Sequence, residues 1–399
     1  MRSLLSRIPL LAGALALTLP AALADESVWK AHSIDPRTED ARGADGVRLL
    51  DVNGDGLLDV ASGWEEARQT RVYLHPGPER VTEPWPKVVV GRGFGPPEDA
   101  VFCDLDGNGA VDVISSSEGG KIHVHWAPQD PDDYLEESAW STEPFPAGFR
   151  RGSGMFVVPV QLDGRNGIDL VSGGKEKDLV WFRSPEDPRD LDAWECHVIS
   201  SEGDDAWTMG IYAADLDGDG DPDLAWTTRF GEAGGVRWLE NPGPGPKQRQ
   251  PWETHKLSRG NRDFSFGDVA DVNGDGRPDV VAPEIDGKLH VFLNLGGKEW
   301  SDVAIAAPGR KKGAAVGDVN LDGRMDIVVN HVQQDGPAWY ESEGDPADPA
   351  SWRRHGTGAP GGKTDLVRLH DVDGDGDLDI LTTIETTELQ VMWYENPIR

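Results

Sequence analysis

A ten-residue pattern that recurs seven times leaves this chain few folds to choose from. It reads "DVNGDGLLDV" from Asp51, "DLDGNGAVDV" from Asp104, "QLDGRNGIDL" from Gln161 and "DLDGDGDPDL" from Asp215. It continues as "DVNGDGRPDV" from Asp271, "DVNLDGRMDI" from Asp318 and "DVDGDGDLDI" from Asp371. The first positions stand 53, 57, 54, 56, 47 and 53 residues apart. Self-similarity at such a period marks a solenoid or a propeller. Two further markers keep the same beat. Trp29, Trp85, Trp140, Trp194, Trp252, Trp300 and Trp352 each precede an acidic loop by 18 to 22 residues. After each loop comes an aromatic element, such as "VYLHPGP", "VRWLENPGP", "AWYESEGDP" or "VMWYENP".

Each unit reads as four short strands. One apolar run enters the acidic loop, a second leaves it, the aromatic element is the third and the Trp element the fourth. Lengths near five residues, β-branched enrichment and Gly, Pro and Asp punctuation favour strands over helices. Seven such units predict an all-β, seven-bladed propeller of four-stranded antiparallel blades. The chain ends after a third strand, whereas "SVWKAHSI" near its start is a fourth strand without a blade. The N-terminal strand is therefore expected to complete the last blade. Closure also removes open sheet edges, and a monomer is expected.

Within each loop, oxygen-bearing side chains recur at positions 1, 3, 5 and 9, with Gly at 6. The sets are Asp51, Asn53, Asp55 and Asp59; Asp104, Asp106, Asn108 and Asp112; and Asp215, Asp217, Asp219 and Asp223. The remaining sets are Asp271, Asn273, Asp275 and Asp279; Asp318, Asn320, Asp322 and Asp326; and Asp371, Asp373, Asp375 and Asp379. Turn chemistry alone asks for one or two such residues. Four oxygens at fixed spacing suit a hard cation, and short carboxylate-rich loops suit Ca²⁺ better than Mg²⁺. Six structural calcium sites are expected. The third loop, with Gln161, Asp163, Arg165 and Asp169, loses one carboxylate and gains a cation, so it is expected to keep the turn and lose the metal.

The sequence holds 71 Asp and Glu against 38 Lys and Arg, a formal charge of −33. That balance argues against nucleic acid and against anionic membrane surfaces, which call for a basic footprint. Residues 1–24 read as a secretory signal peptide, with Arg2 and Arg7 before an apolar run and Ala22 and Ala24 at the cleavage positions. Residues 25–399 then form one propeller domain, secreted or periplasmic and without membrane insertion. Cys103 and Cys196 read as two small buried hydrophobes. His123 and His125 alternate on one strand and are expected to face solvent.

"DVNGDGRPDVV" beside "GVRWLENP" resembles the FG-GAP/VCBS repeat, found in integrin α-subunit propellers and in many bacterial secreted proteins. The resemblance spans essentially all of residues 25–399. It implies a seven-bladed propeller with calcium in hairpins on one face and ligands handled on the other. It implies no single activity, because function does not follow from fold.

Turns from each Trp strand into the next blade would form the ligand face. They carry Arg42, Arg92, Arg150, Arg151, Arg259, Arg262, Arg310, Lys311, Lys312 and Lys363, while the fourth copy supplies Asp204, Asp205 and Trp207 instead. Together they predict a cationic funnel for an anionic carbohydrate or a protein partner, since Arg forks match carboxylate and sulfate. Phe94, Phe149, Trp207, Phe264 and Trp64 are candidates for stacking on sugar rings. The periodic Trp residues read as wedges between blades, and His32, His197, His255 and His355 share that reading.

A binding module without catalysis is the leading functional expectation. The alternative is a lyase or dehydratase acting by β-elimination, with His331 as base; aldos-2-ulose dehydratases contain repeats that look like these. An adhesive or structural surface protein is the third reading.

Overall fold

The structure, a computed structural model, describes residues 28–36, 43–117, 119–146, 154–175, 178–201, 207–230, 234–332, 336–385 and 390–398. The signal-peptide segment, Arg42, Phe149, Arg150, Arg151, Asp204 and Asp205 lie outside them. Seven four-stranded antiparallel sheets make up the molecule. Blade one consists of Ala44–Leu50, Asp59–Trp64, Gln69–Tyr73 and Lys87–Arg92. Blades two to six follow over 97–144, 156–201, 207–256, 268–305 and 311–356. No described helix is long and apolar enough to cross a membrane.

Blade seven joins Val367–His370, Asp379–Ile384 and Gln390–Glu395 to the N-terminal strand Lys30–Asp35. Lys30 lies opposite Glu395, and Asp35 opposite Val391. The ring is therefore closed between chain start and chain end, as the orphan fourth strand implied. Ile34 is fully buried in this seam, and the Asp35 carboxylate accepts from Arg71 Nη1 at 2.6 Å and Tyr73 hydroxyl at 3.0 Å.

The second and third strands are buried on both faces, since blades pack face to face around the ring; Asp59–Trp64 is buried throughout. Most of the periodic Trp residues fill the gaps between blades. Trp85 packs with Ile34, Tyr73 and Trp393, and Trp252 with Trp181 and Trp226. Their indole N–H groups are satisfied locally, Trp85 donating to the Val81 carbonyl and Trp252 to that of Gln248.

Three expectations are corrected. Cys196 is exposed on an outer strand, whereas Cys103 is buried. His123 and His125 are buried, and His125 is held between the hydroxyls of Ser115 and Thr142, each at 2.8 Å. Burial pushes His123 down to about 4 and His125 to about 3. Alternation placed them correctly on one face, but that face packs against the neighbouring strand and blade.

Candidate functional site

Every acidic loop joins the first and second strands of its blade, and position 9 is the first residue of the second strand. This carboxylate has a task that the spacing alone did not show. Asp59 accepts backbone N–H groups from Val52 at position 2 and from His75 just past the third strand, at 2.9 and 2.8 Å. The same double acceptance recurs at Asp112, Asp169 and Asp223. It recurs again at Asp279, Asp326 and Asp379. Position 9 thus fastens the loop to the end of the third strand in all seven blades. Each carboxylate oxygen keeps lone-pair capacity beyond the bond it accepts.

The other positions converge on the same spot. Asp51 accepts from the Gly54 and Gly56 N–H groups at 2.7 and 2.9 Å, a wrap that needs the left-handed backbone of Gly56 (φ 86°). Carboxylate oxygens of Asp104, Asp106 and Asp112 lie within 4.8 Å of one another, as do those of Asp215, Asp217 and Asp223. Burial, reinforced by neighbouring carboxylates, pushes Asp59 up to about 6, Asp112 and Asp223 to about 7 and Asp379 to about 8. In the seventh loop both oxygens of Asp377, a residue only 3% exposed, lack a hydrogen-bond partner. Crowded acids with an orphaned carboxylate among them fit a cation.

The third loop meets the same requirement with its own atoms. The Gln161 amide oxygen accepts from Asp163 and Gly164, its amide nitrogen donates to the carbonyls of Arg165 and Gly167, and Arg183 forms a 2.6 Å ion pair with Asp163. An amide stands at position 1, where the other six loops have Asp. The guanidinium pair is not peculiar to this loop, since Arg189, Arg277 and Arg324 pair with Asp106, Asp275 and Asp322. Replacing Asp169 by Ala strands two buried N–H donors and should cost about 3–5 kcal/mol. Urea unfolding of this variant should show the same loss with and without a chelator.

At the opposite end of the ring, the starts of the first strands and the ends of the second strands surround a cavity of about 260 Å³. All seven blades contribute. Asp45, Glu65, Glu98, Asp365 and Glu385 form an acidic wall on blades seven, one and two. Arg229, Arg310 and Lys312, on blades four and six, face it, with Lys363 beside Glu385. Met155, Trp207, Met209 and Phe266 supply the apolar lining. Two cations are matched to acids within the cavity: Lys312 lies 3.0 Å from Asp365, and Lys363 pairs with Glu385. Further along the channel, Arg48 forks onto the fully buried Asp99, its Nη2 at 2.5 Å from Oδ2.

Repeat units of the FG-GAP-like type match residues 51–143, 161–226 and 271–329, more than half of the chain. The chain belongs to the FG-GAP-like repeat family. No curated protein matches this FG-GAP propeller in sequence. Among solved structures it is similar to BBS1N, crystallised in complex with ARL6DN. They share 11% identity over 93% of this chain and 97% of that one, with a TM-score of 0.54. It is also similar to the Cps50 (Swd1) β-propeller domain of Myceliophteria thermophila, at 12% identity over 92% and 99% of the chains and a TM-score of 0.54. At such identities the likeness is one of fold.

The FG-GAP propeller brings only part of the expected cationic funnel together. Trp207, Arg310, Lys312 and Lys363 line the cavity. Arg92 points away and pairs with Glu137 at 2.6 Å, Arg259 is exposed outside the cavity, and Arg262 lies 3.7 Å from Glu284. Lys311 is fully buried and donates to the carbonyls of Gly287, Ala307 and Gly309, which makes it a tie between blades. The acidic wall makes the mouth bipolar. Asp45, Glu98 and Asp365 stand in the same connecting segments as the expected cations, whereas Glu65, Arg229 and Glu385 come from the ends of second strands. Of the stacking candidates, Trp64 and Phe264 are fully buried and Phe94 is exposed. His331 is 5% exposed and does not line the cavity; neither does any other described histidine.

The Trp-x-x-His and "WYENP" textures also acquire roles. His32, His255 and His355 stack on Trp393, Trp238 and Trp339 of the adjacent strand and bond to Glu395, Glu240 and Glu341. They belong to cross-strand pairs within one blade, a correction to the wedge reading. Asn241, Asn294 and Asn396 donate to the position-2 carbonyls of the preceding blade's loop, Leu162, Leu216 and Val319. In blade one His75 reaches Val372 in the same way, at 2.8 Å.

Proposed function

We propose that this FG-GAP propeller is an extracytoplasmic recognition module that holds calcium in its six intact acidic loops and takes its ligand at the channel mouth. The observation that carries the reading is the cavity to which every blade contributes a side chain, on the face opposite the loops. Concave sites with an apolar lining and a few convergent polar groups are where ligands bind. Position-1, -3 and -5 oxygens together with position 9 would hold the ion, and it would neutralise charges that otherwise repel. Asp377, buried without a partner, and the third loop, where the Gln161 amide satisfies the turn in place of the position-1 carboxylate, support that assignment.

The ligand is read as one that presents an acidic group, on an anionic carbohydrate or on a protein, to Arg229 and Arg310. A protein partner draws support from BBS1N, a propeller of like fold crystallised in complex with ARL6DN. The test is retention of uronate-rich, sulfated and neutral polysaccharides and of co-purifying proteins by the wild type and by Trp207→Ala and Arg310→Ala variants. A retained acidic ligand, weakened about tenfold by either substitution and by salt, is the expected result. Retention that neither substitution changes would move the site off the channel mouth.

A further inference from the structure

The charges inside the cavity are unequal in one respect: Arg310, Lys312 and Lys363 each have an acid partner, whereas Asp45 and Arg229 form no ion pair among the described residues. Lys312 with Asp365 and Lys363 with Glu385 form short pairs, while Arg310 reaches Asp286 at 3.1 Å. Asp45 is only 5% exposed and makes no ion pair among the described residues. Its one hydrogen bond there is taken at Oδ1 from the Gly46 N–H, at 3.0 Å. Carboxylate oxygens of Asp365 and Glu385, and on the other side those of Glu65 and Glu98, lie within 4.8 Å of its own. A buried carboxylate ringed by carboxylates is costly to a fold, because desolvation and like charge both oppose ionisation. Burial, then Asp365, Glu98 and Glu385, hold Asp45 well above the usual carboxylate range.

Across the cavity stands the converse group. The Arg229 guanidinium makes no ion pair among the described residues, and its Nε is buried without a hydrogen-bond partner. Its neighbours are ring faces, Phe230 at 4.1 Å and Trp207 at 5.7 Å, with Lys175 4.2 Å above the same Trp207 ring. Asp263 is the acid that acts on Arg229 most, with Asp365 and Asp286 behind it, and none of them is within ion-pair distance.

We infer that the channel mouth binds a small zwitterion, with its ammonium group at Asp45 and its carboxylate at Arg229. This rests on the mouth being the recognition site and adds the second charge of the ligand. A cation arriving at Asp45 relieves the repulsion there, and a carboxylate completes the fork of Arg229. Met209, Trp207 and Phe266, which line the same cavity, would take an apolar body. An α-amino acid is the smallest ligand of this kind, and a cavity of about 260 Å³ holds one.

The experiment is titration calorimetry of the purified protein in calcium-containing buffer. The probes are the proteinogenic α-amino acids, each beside its decarboxylated amine and its deaminated acid. At least one amino acid should bind, with both analogues at least about tenfold weaker. Asp45→Asn should bring the amino acid down to the affinity of its acid analogue, and Arg229→Gln down to that of the amine. The Asn variant removes a buried unpaired charge, so its melting temperature should equal or exceed the parent's, and loss of binding cannot then be loss of fold. An acid analogue binding as tightly as the amino acid, or binding unmoved by either substitution, overturns the inference while leaving recognition at the mouth intact. Calcium binding beyond the six loops, abolished in the Asp45→Asn protein, would also overturn it by putting a metal ion where the ammonium belongs. Failure of every probe, together with ligand retention that Trp207→Ala and Arg310→Ala leave unchanged, removes both readings.

Discussion

Chelation of calcium should lower the melting temperature of this propeller by roughly 15–25 °C, the largest effect of any mild treatment. A ligand present at a hundred times its dissociation constant stabilises the folded state by about 2.7 kcal/mol per site. Six intact loops multiply that effect, although a domain of this length converts each kcal/mol into a shift of only about 1–2 °C. Without the ion, the fourth and seventh loops each gather five carboxylates, Asp215 to Asp223 and Asp371 to Asp379. Asp377 is then buried with both oxygens unpartnered. Scanning calorimetry with calcium, with chelator and with calcium restored checks the prediction. A melting temperature that chelator leaves unchanged would remove calcium from the account of this fold. Restoring calcium also separates reversible loss of metal from damage.

Removal of residues 1–36 should abolish the folded monomer. The deleted segment carries Trp29, 3% exposed, and Ile34, fully buried, whose burial is worth about 1.5–3 kcal/mol each. It also takes away Asp35, which lies 2.6 Å from Arg71 and 2.5 Å from Lys87. Arg71 is 5% exposed, and a buried charge that loses its partner costs about 3–5 kcal/mol. Beyond these losses, strand Gln390–Glu395 becomes an open edge carrying Val391 and Trp393, and open apolar edges pair with other chains. Size-exclusion chromatography should show aggregates in place of a compact monomer. The single substitution Asp35→Ala isolates the charge term and should cost about 3–5 kcal/mol in urea unfolding with the ring still closed. A compact, monomeric truncated chain would show that closure contributes little.

The repeat made the architecture legible because its period is a property of the chain. An acidic loop, an aromatic strand and a Trp strand in fixed order determine blade number, strand number and the place of each hairpin. An unmatched strand at the start and a missing one at the end determine closure. Local rules suffice there, since a turn needs its Gly and its Asx residues wherever it stands. The mouth obeys no such rule. Asp45, Glu98, Arg229, Lys312 and Asp365 are neighbours only because seven blades are bent into a circle. Arg92 and Lys311 border the same kind of blade-to-blade turn, one ending a fourth strand and the other opening a first strand, yet one faces outward to Glu137 and the other is buried among carbonyls. Position 9 shows the same divide: its spacing marked it as a metal oxygen, and only the folded hairpin revealed the two backbone N–H groups that it fastens. Ring, loops and seam are legible in the chain, because they follow from contacts within one repeat and its neighbour. Which charges share the channel, and which of them stay unpaired, depends on distances closed around the whole ring and emerges only on folding.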